Sequence, residues 1–325
     1  MKLGIYGYGN IGKGVELACS QNKDVELFGI FTRRDKNTIK PLLNTKVYNA
    51  NEISNFKNEI DVLAICGGSA TELPTMTPEL AKDFNVIDTF DTHAKVYEHF
   101  QNVDRVAKAN DHIALISCGW DPGMFSLNRL YANVLLPNGK DYTFWGRGIS
   151  QGHSDALRRI EGVLDAKQYT VPIENAVTRV LNGETPDLTI KEKHKRECFV
   201  VLKDGADNNK VENEIKTMPN YFADYETIVH FVSKEELDKN HSGMPHAGFV
   251  VRTGSTGKDN EHKHTISYNL KLDSNPEFTA QAVVAFSRAL YKEYNDGNRG
   301  CLTVFDIKPK YLYSGSYDDL LKHTL

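Results

Sequence analysis

Gly7-Tyr8-Gly9-Asn10-Ile11-Gly12 follows the strand-like run KLGIY at 2–6 and opens the helix-like residues 11–20. The spacing is G-x-G-x-x-G. The first glycine permits a tight turn, the second lets a pyrophosphate approach the backbone, and the third lets helix and strand pack closely. The helix start adds N–H donors and a positive partial charge. A bare motif of this kind is weak evidence, so the surroundings decide. Apolar runs at 3–6, 25–31, 62–66, 86–87 and 113–116 alternate with amphipathic stretches such as 78–84 and 96–109. That rhythm predicts a doubly wound, Rossmann-type α/β domain whose parallel sheet carries helices on both faces. Gly7, Tyr8, Gly9, Asn10, Ile11 and Gly12 are then its phosphate-binding turn.

The second strand ends at Thr32, Arg33 and Arg34. An NAD enzyme would usually place Asp or Glu about 20 residues past the glycines, on the ribose 2′-hydroxyl. Here that position holds a hydroxyl and two arginines. The planar guanidinium fork matches phosphate oxygens, so the expected cofactor is NADP(H). The bland alternative is a solvated basic turn.

Ligands of open α/β sheets bind outside the carboxyl ends of the strands. Those ends here carry Gly67-Gly68-Ser69-Ala70, Thr89-Phe90-Asp91 and Cys118-Gly119-Trp120-Asp121-Pro122. Their glycines allow close backbone approach to a ligand. Either Asp91 or Asp121 taken alone reads more readily as a helix cap. Two at equivalent strand ends, one beside a tryptophan, point to a cationic substrate group.

After residue 122 the rhythm changes. Segments near 142–145, 169–171, 198–202, 227–232, 249–252 and 265–272 read as strands, and Ile266, Tyr268, Leu270 and Leu272 alternate with polar residues. This predicts a second, α+β region over 123–295 with a mostly antiparallel sheet. Asn275-Pro276 opens a helix there. Residues 302–305 read as a further strand, and 296–325 are expected to rejoin the first domain, which otherwise spans 1–122. Candidates in the second region are Trp145, Gln151, Gly152, Thr170, Arg196, His246 and Asn275. Taken singly, Arg196 reads as a surface charge, His246 as a loop residue, Asn275 as a cap and Trp145 as core.

Composition excludes other classes. The chain has 325 residues, 40% of them hydrophobic and 25% charged, with a net charge of −4. That size favours two domains, and the charge argues against a binder of nucleic acid or anionic membrane that works by bulk charge. No apolar run approaches the ~20 residues of a membrane span, and no signal-peptide pattern is read at the start. The 5 cysteines are odd in number and far apart. Neither a disulfide framework nor a metal site is expected, and a cytoplasmic setting fits.

The sequence resembles the meso-diaminopimelate dehydrogenase family over nearly its whole length. The matching blocks are GYGNIG at 7–12, FTRR at 31–34, DTFDTH at 88–93, GWDPGMFSLNR at 119–129, FWGRGISQGHSDALRR at 144–159, HKRECFVV at 194–201, TMPNYF at 217–222, SGMPHAG at 242–248 and KLDSNPEFTA at 271–280. The resemblance implies reversible, NADP-dependent oxidative deamination at the D-centre of meso-2,6-diaminopimelate, giving L-2-amino-6-oxopimelate, ammonia and NADPH. It also implies a homodimer, with the second region serving substrate binding and dimerisation. Carried over by motif, Asp91, Trp120, Asp121, Trp145, Gln151 and Gly152 surround the reacting D-centre. Thr170, Arg196, His246 and Asn275 hold the distal L-centre, and the cofactor contacts fall at Tyr8–Ile11, Thr32–Arg34, Gly67–Ala70, Thr89–Asp91 and Cys118–Pro122. Departures are small: Phe90 stands where tyrosine can occur, Gly67 where a bulkier residue can occur, and a short insertion lies between Gly257 and His264.

The substrate's two ammonium and two carboxylate groups suit these residue types. Asp91 and Asp121 accept from the reacting amine, with Asp121 the expected assistant of its deprotonation and Asp91 its support. Arg196 suits bidentate binding of the remote carboxylate, and Thr170, His246 and Asn275 complete the polar set. Rival readings lack their marks. A sugar or inositol oxidoreductase would show Glu-Lys-Pro near residue 90, and a dihydrodipicolinate-reductase-like enzyme a paired-histidine motif followed by lysine. A non-catalytic NADP sensor would tolerate loss of Asp121, Arg196 or His246, and all three are present.

Overall fold

The computed structural model describes all residues, 1–325. By packing the chain forms two units, Met1–Leu127 with Pro276–Leu325, and Asn128–Asn275. In the first, β1 (Lys2–Tyr6) leads through the glycine turn into α1 (Asn10–Gln21). There follow β2 (Glu26–Thr32), the short β3 (Val47–Asn49), β4 (Val62–Ile65), α2 (Leu73–Leu80), β5 (Val86–Asp88), α3 (Val96–Ala109) and β6 (Ile113–Leu115). Helix α3 fills 96–109 as the apolar spacing predicts. Helix α2 begins well before 78, because Pro74 suits a helix start that the sequence reading passed over.

From α4 (Met124–Leu135) the chain enters the second unit. Its strands are β7 (Gly139–Trp145), β8 (Gly148–Ile149), β9 (Val163–Pro172), β10 (His194–Leu202), β11 (Glu226–Phe231), β12 (His246–Thr256) and β13 (His262–Leu272). Its helices are α5 (Gln151–Arg158), α6 (Glu174–Leu181), α7 (Ile190–Lys193), α8 (Asn208–Thr217) and α9 (Lys234–Asn240). One sheet has the order β11-β10-β9-β8, antiparallel except where β11 joins β10. The other, β13-β12-β7, is wholly antiparallel. On β13, Thr265, Ser267, Asn269 and Lys271 are exposed while Ile266, Tyr268 and Leu270 are half-buried, which is the predicted alternation. Leu157, Cys198, Val200, Ile215 and Phe222 form the core of the larger sheet, and Phe144, Val180 and Val251 that of the smaller.

The chain then returns through α10 (Asn275–Asn295) to β14 (Gly300–Leu302). All the strands of the first unit pair in parallel, in the order β14-β6-β5-β4-β1-β2-β3. The chain reverses its direction of travel across this sheet at β1 and β4, which is where such folds bind ligands. One face is covered by α1 and α10, through Val15, Ala18, Val283, Val284 and Leu290 packed with Leu3, Ile5 and Ile30. On the other, Leu73 and Val103 pack with Phe31, Leu63 and Ile65. Two boundaries differ from the sequence reading. The helix opened by Asn275 belongs with the first unit from Pro276 onward, because its apolar face completes that core. The last strand stops at Leu302, because the Thr303 backbone N–H and hydroxyl turn onto Asp306 Oδ2 at 2.8 and 2.9 Å.

Candidate active site

In the first unit the glycine turn sits at the end of β1, with the Gly7 N–H donating to the Phe31 carbonyl at 2.8 Å. Gly7 has φ +95°, a region L side chains rarely adopt. A Cβ on Gly12 would lie 2.2 Å from the Gly7 carbonyl oxygen, so only glycine lets α1 begin there. Above Gly9 nothing lies within 4 Å. Gly9 caps α1 without any side-chain bond to the helix N–H groups. The turn therefore has the open, donor-lined shape a pyrophosphate needs.

Around it the candidates are held by specific bonds. The Tyr8 hydroxyl donates to Glu16, a carboxylate with no exposure at all. Glu16 also accepts from the backbone N–H groups of Leu42 and Leu43 at 2.9 and 3.1 Å and from the Thr45 hydroxyl. Burial pushes its pKa up, but these bonds outweigh burial and hold it below the usual range. Arg34 Nη2 donates to the Tyr8 carbonyl at 2.7 Å, and its N–H to buried Thr32 Oγ1 at 3.2 Å. Arg33 pairs with Glu72, which also accepts the Gly68 N–H at 2.7 Å. That backbone bond first, and Arg33 second, keep the Glu72 carboxyl low. The sequence reading missed Glu16 and Glu72, since a lone glutamate in a helix or loop carries no motif.

At the neighbouring strand ends, the Asp91 N–H donates to Ser69 Oγ at 2.8 Å, and Asp91 is exposed. Trp120 is buried and meets Phe125 edge-on at 5.3 Å. Asp121 is half-buried. Phe90 and Cys118 have their side chains in the core, so only their backbone could face a ligand. Burial pushes the Cys118 thiol well up, which makes it inert.

In the second unit, strand register gathers Arg196, Thr170 and His246. Arg196 on β10 pairs with Thr170 on β9, which pairs with Gly148 on β8. A Cβ on Gly148 would lie 2.5 Å from the His246 ring, so that ring rests on it. Arg196 Nη1 donates to Thr170 Oγ1, and the guanidinium lies 3.9 Å from the centre of the Tyr225 ring. Arg196 is 7% exposed, and its Nε is buried with no partner. Burial pushes its pKa down. A buried guanidinium with a vacant donor and no ion pair is prepared for an anion.

The loop at 242–246 ties in Asn275 and Gln151. The Asn275 N–H donates to the Met244 carbonyl at 2.9 Å, and Gln151 Nε2 reaches Met244 Sδ at 2.9 Å. Gly152 has open space around it. The Trp145 N–H donates to His194 Nε2 at 2.8 Å, and the two rings stack at 5.4 Å. Tyr225 is the second-unit contact that the sequence reading did not find. A separate hollow of about 320 Å³ lined by Tyr142, Thr143, Asp187 and Lys193 contains no candidate.

The reversal at β1 and the open glycine turn define the class of Rossmann-type nucleotide-binding proteins, here with an inserted α+β unit. Comparison with known proteins narrows the class. Residues 119–274 match the family described as diaminopimelic acid dehydrogenase C-terminal domain. The chain is 57% identical to the meso-diaminopimelate D-dehydrogenase of Acetivibrio thermocellus, covering 100% of this chain and 98% of that one. Among solved structures, C. glutamicum DAP dehydrogenase in complex with DAP superposes with a TM-score of 0.93 at 44% identity, covering 100% of this chain and 99% of that one. An engineered D-amino acid dehydrogenase bound to NADP+ superposes at 0.89 with 42% identity, again over 100% and 99%. The chain belongs to the meso-diaminopimelate D-dehydrogenase family, oxidoreductases acting on a CH–NH2 group.

Proposed function

We propose that the protein catalyses the NADP-dependent oxidative deamination of the D-centre of meso-2,6-diaminopimelate. Water enters, and L-2-amino-6-oxopimelate, ammonia, NADPH and a proton leave. The observation that carries the reading is buried Arg196 with its unfilled Nε beside Thr170, a site made for a carboxylate. The nicotinamide ring, when bound, supplies the hydride acceptor. Gly7–Gly12 and Gly67–Ala70 would hold the dinucleotide, and Arg33 and Arg34 its 2′-phosphate. Both arginines sit at the end of β2, and Arg34 is already oriented by the Tyr8 carbonyl. The relative bound to NADP+ favours the same cofactor.

On this reading Asp91 and Asp121 accept from the reacting ammonium, and Asp121 assists its deprotonation before the hydride leaves Cα. Trp120, Trp145, Gln151 and Gly152 shape the surroundings of that centre. Thr170, Arg196, His246 and Asn275 hold the distal amino-acid end, whose L-configuration they would select. An isomer of the wrong hand would leave buried polar groups unpaired. The relative crystallised with DAP supports this substrate. The family reading also carries a homodimer. Exposed Leu130, Tyr131, Val134 and Leu135 on one helix give it an apolar surface.

The test is NADPH absorbance with each diaminopimelate isomer, using NADP+ and NAD+ in parallel. Signal with the meso isomer and NADP+, and little elsewhere, is expected. Equal rates with the L,L isomer would remove the two-ended site. Equal rates with NAD+ would remove the reading of the arginines.

A further inference from the structure

Asp88 closes β5, and its carboxylate is buried at 1% exposure. Four donors converge on it. Thr77 Oγ1 and His99 Nε2 each lie 2.7 Å from Oδ2. The backbone N–H groups of Phe90 and Ser117 donate to Oδ1 at 3.0 and 2.9 Å. The Asp88 carbonyl adds a further tie, accepting the Cys118 N–H at 2.9 Å. One residue therefore fastens the starts of two loops. The first continues into Asp91, and the second into Trp120 and Asp121.

The anchoring comes from the helices behind the sheet. Thr77 is on α2, and His99 shares a buried face of α3 with Val103 and Ala107. The His99 ring stacks on Phe90 at 4.3 Å. With Asp88 as acceptor, Nε2 carries the proton, while Nδ1 is buried with no partner. Ser117 has φ +56°, a conformation uncommon for its type, and its N–H is the one Asp88 holds. Burying a carboxylate is costly, and an apolar residue closing β5 would avoid that cost. What the carboxylate alone supplies is a rigid acceptor spanning two loops.

We infer that Asp88, steadied by His99, is a positioning residue for the dehydrogenase reaction, fixing Asp91 and Asp121 relative to one another. This rests on the reading that those two aspartates meet the reacting amine. A misplacement of about 1 Å at a reacting centre costs on the order of 100-fold in rate.

The experiment is Asp88→Asn, read by kcat and by the primary deuterium isotope effect on kcat/KM with substrate labelled at the reacting carbon. The amide keeps the size but can no longer accept from both pairs of donors. The expected result is a fall in kcat of about 10- to 100-fold, with a rise in the isotope effect as hydride transfer slows relative to substrate release. Loss of folded protein alone would lower the rate and leave the isotope effect unchanged. His99→Gln places a donor near the same point and should recover most of the rate, whereas His99→Leu should behave like Asp88→Asn. These two give the same reading if Asp88→Asn does not fold. An unaltered isotope effect in Asp88→Asn and His99→Leu overturns the proposal. Asp121→Asn is run alongside. Full turnover there removes the reading of the aspartates and this proposal with it. An impaired Asp121→Asn beside an unaltered Asp88→Asn removes the positioning role alone.

Discussion

Arg196 illustrates how one residue changes meaning with its surroundings. By itself it reads as a surface charge. On β10 it shares a face with His194, Cys198 and Val200, all buried, so the two-residue period of the strand places it on the inner face. That signal was available in the sequence. Tyr225 was not, because it reaches Arg196 from a separate loop. The same division holds in the first unit. The glycine turn was legible because its geometry is local, whereas Glu16 meets Leu42, Glu72 meets Arg33 and Asp88 meets Ser117, partners distant in the chain. Arg196→Ala is expected to raise the KM for diaminopimelate by about 10- to 100-fold, the size of a charge-assisted hydrogen bond, with a smaller change in kcat. Steady-state kinetics over a wide substrate range checks this, and an unchanged KM would take Arg196 out of the site.

Among the elements, β10 links stability to pH. His194 Nε2 accepts the Trp145 N–H, which ties β7 to β10. Burial first, then the charges of Arg196 and Lys193, push His194 down to about 3 from its ordinary 6.5. Burial and Arg196 push His153 down to about 4. In the unfolded chain both would titrate near 6.5. Below that pH the unfolded state binds more protons, so stability is fully present above 6.5 and is lost as pH falls toward 4. Thermal melts should therefore show Tm falling between pH 7 and 5, more gently in His194→Gln, whose amide oxygen can still accept from Trp145. Parallel slopes in the two proteins would contradict this. Helix α3 was legible to the residue, and β13 at its end, Leu272, though it starts three residues earlier than read, at His262. Helix α2 and β3 were not, because Pro78 inside α2 itself reads as a helix start and β3 has only 3 residues.

For the whole molecule, the alternation of strands and helices was enough to predict a parallel sheet, and two-residue alternation to predict antiparallel pairing in the second unit, though not its division into two sheets. The return of the chain through α10 was harder to see. Its apolar stripe is visible in the sequence, but a stripe does not name the surface it covers. Here it covers Leu3, Ile5 and Ile30, some 250 residues earlier in the chain, which is a matter of tertiary packing. The family resemblance identifies chemistry that no local pattern specifies, since the fold alone serves many reactions. The central claim concerns which carbon of a nearly symmetric substrate is oxidised. We would prepare meso-diaminopimelate deuterated at the D-centre or at the L-centre and follow the label into NADPH by mass spectrometry. The account predicts label from the D-centre alone. Label arriving from the L-centre, or from both, would contradict it.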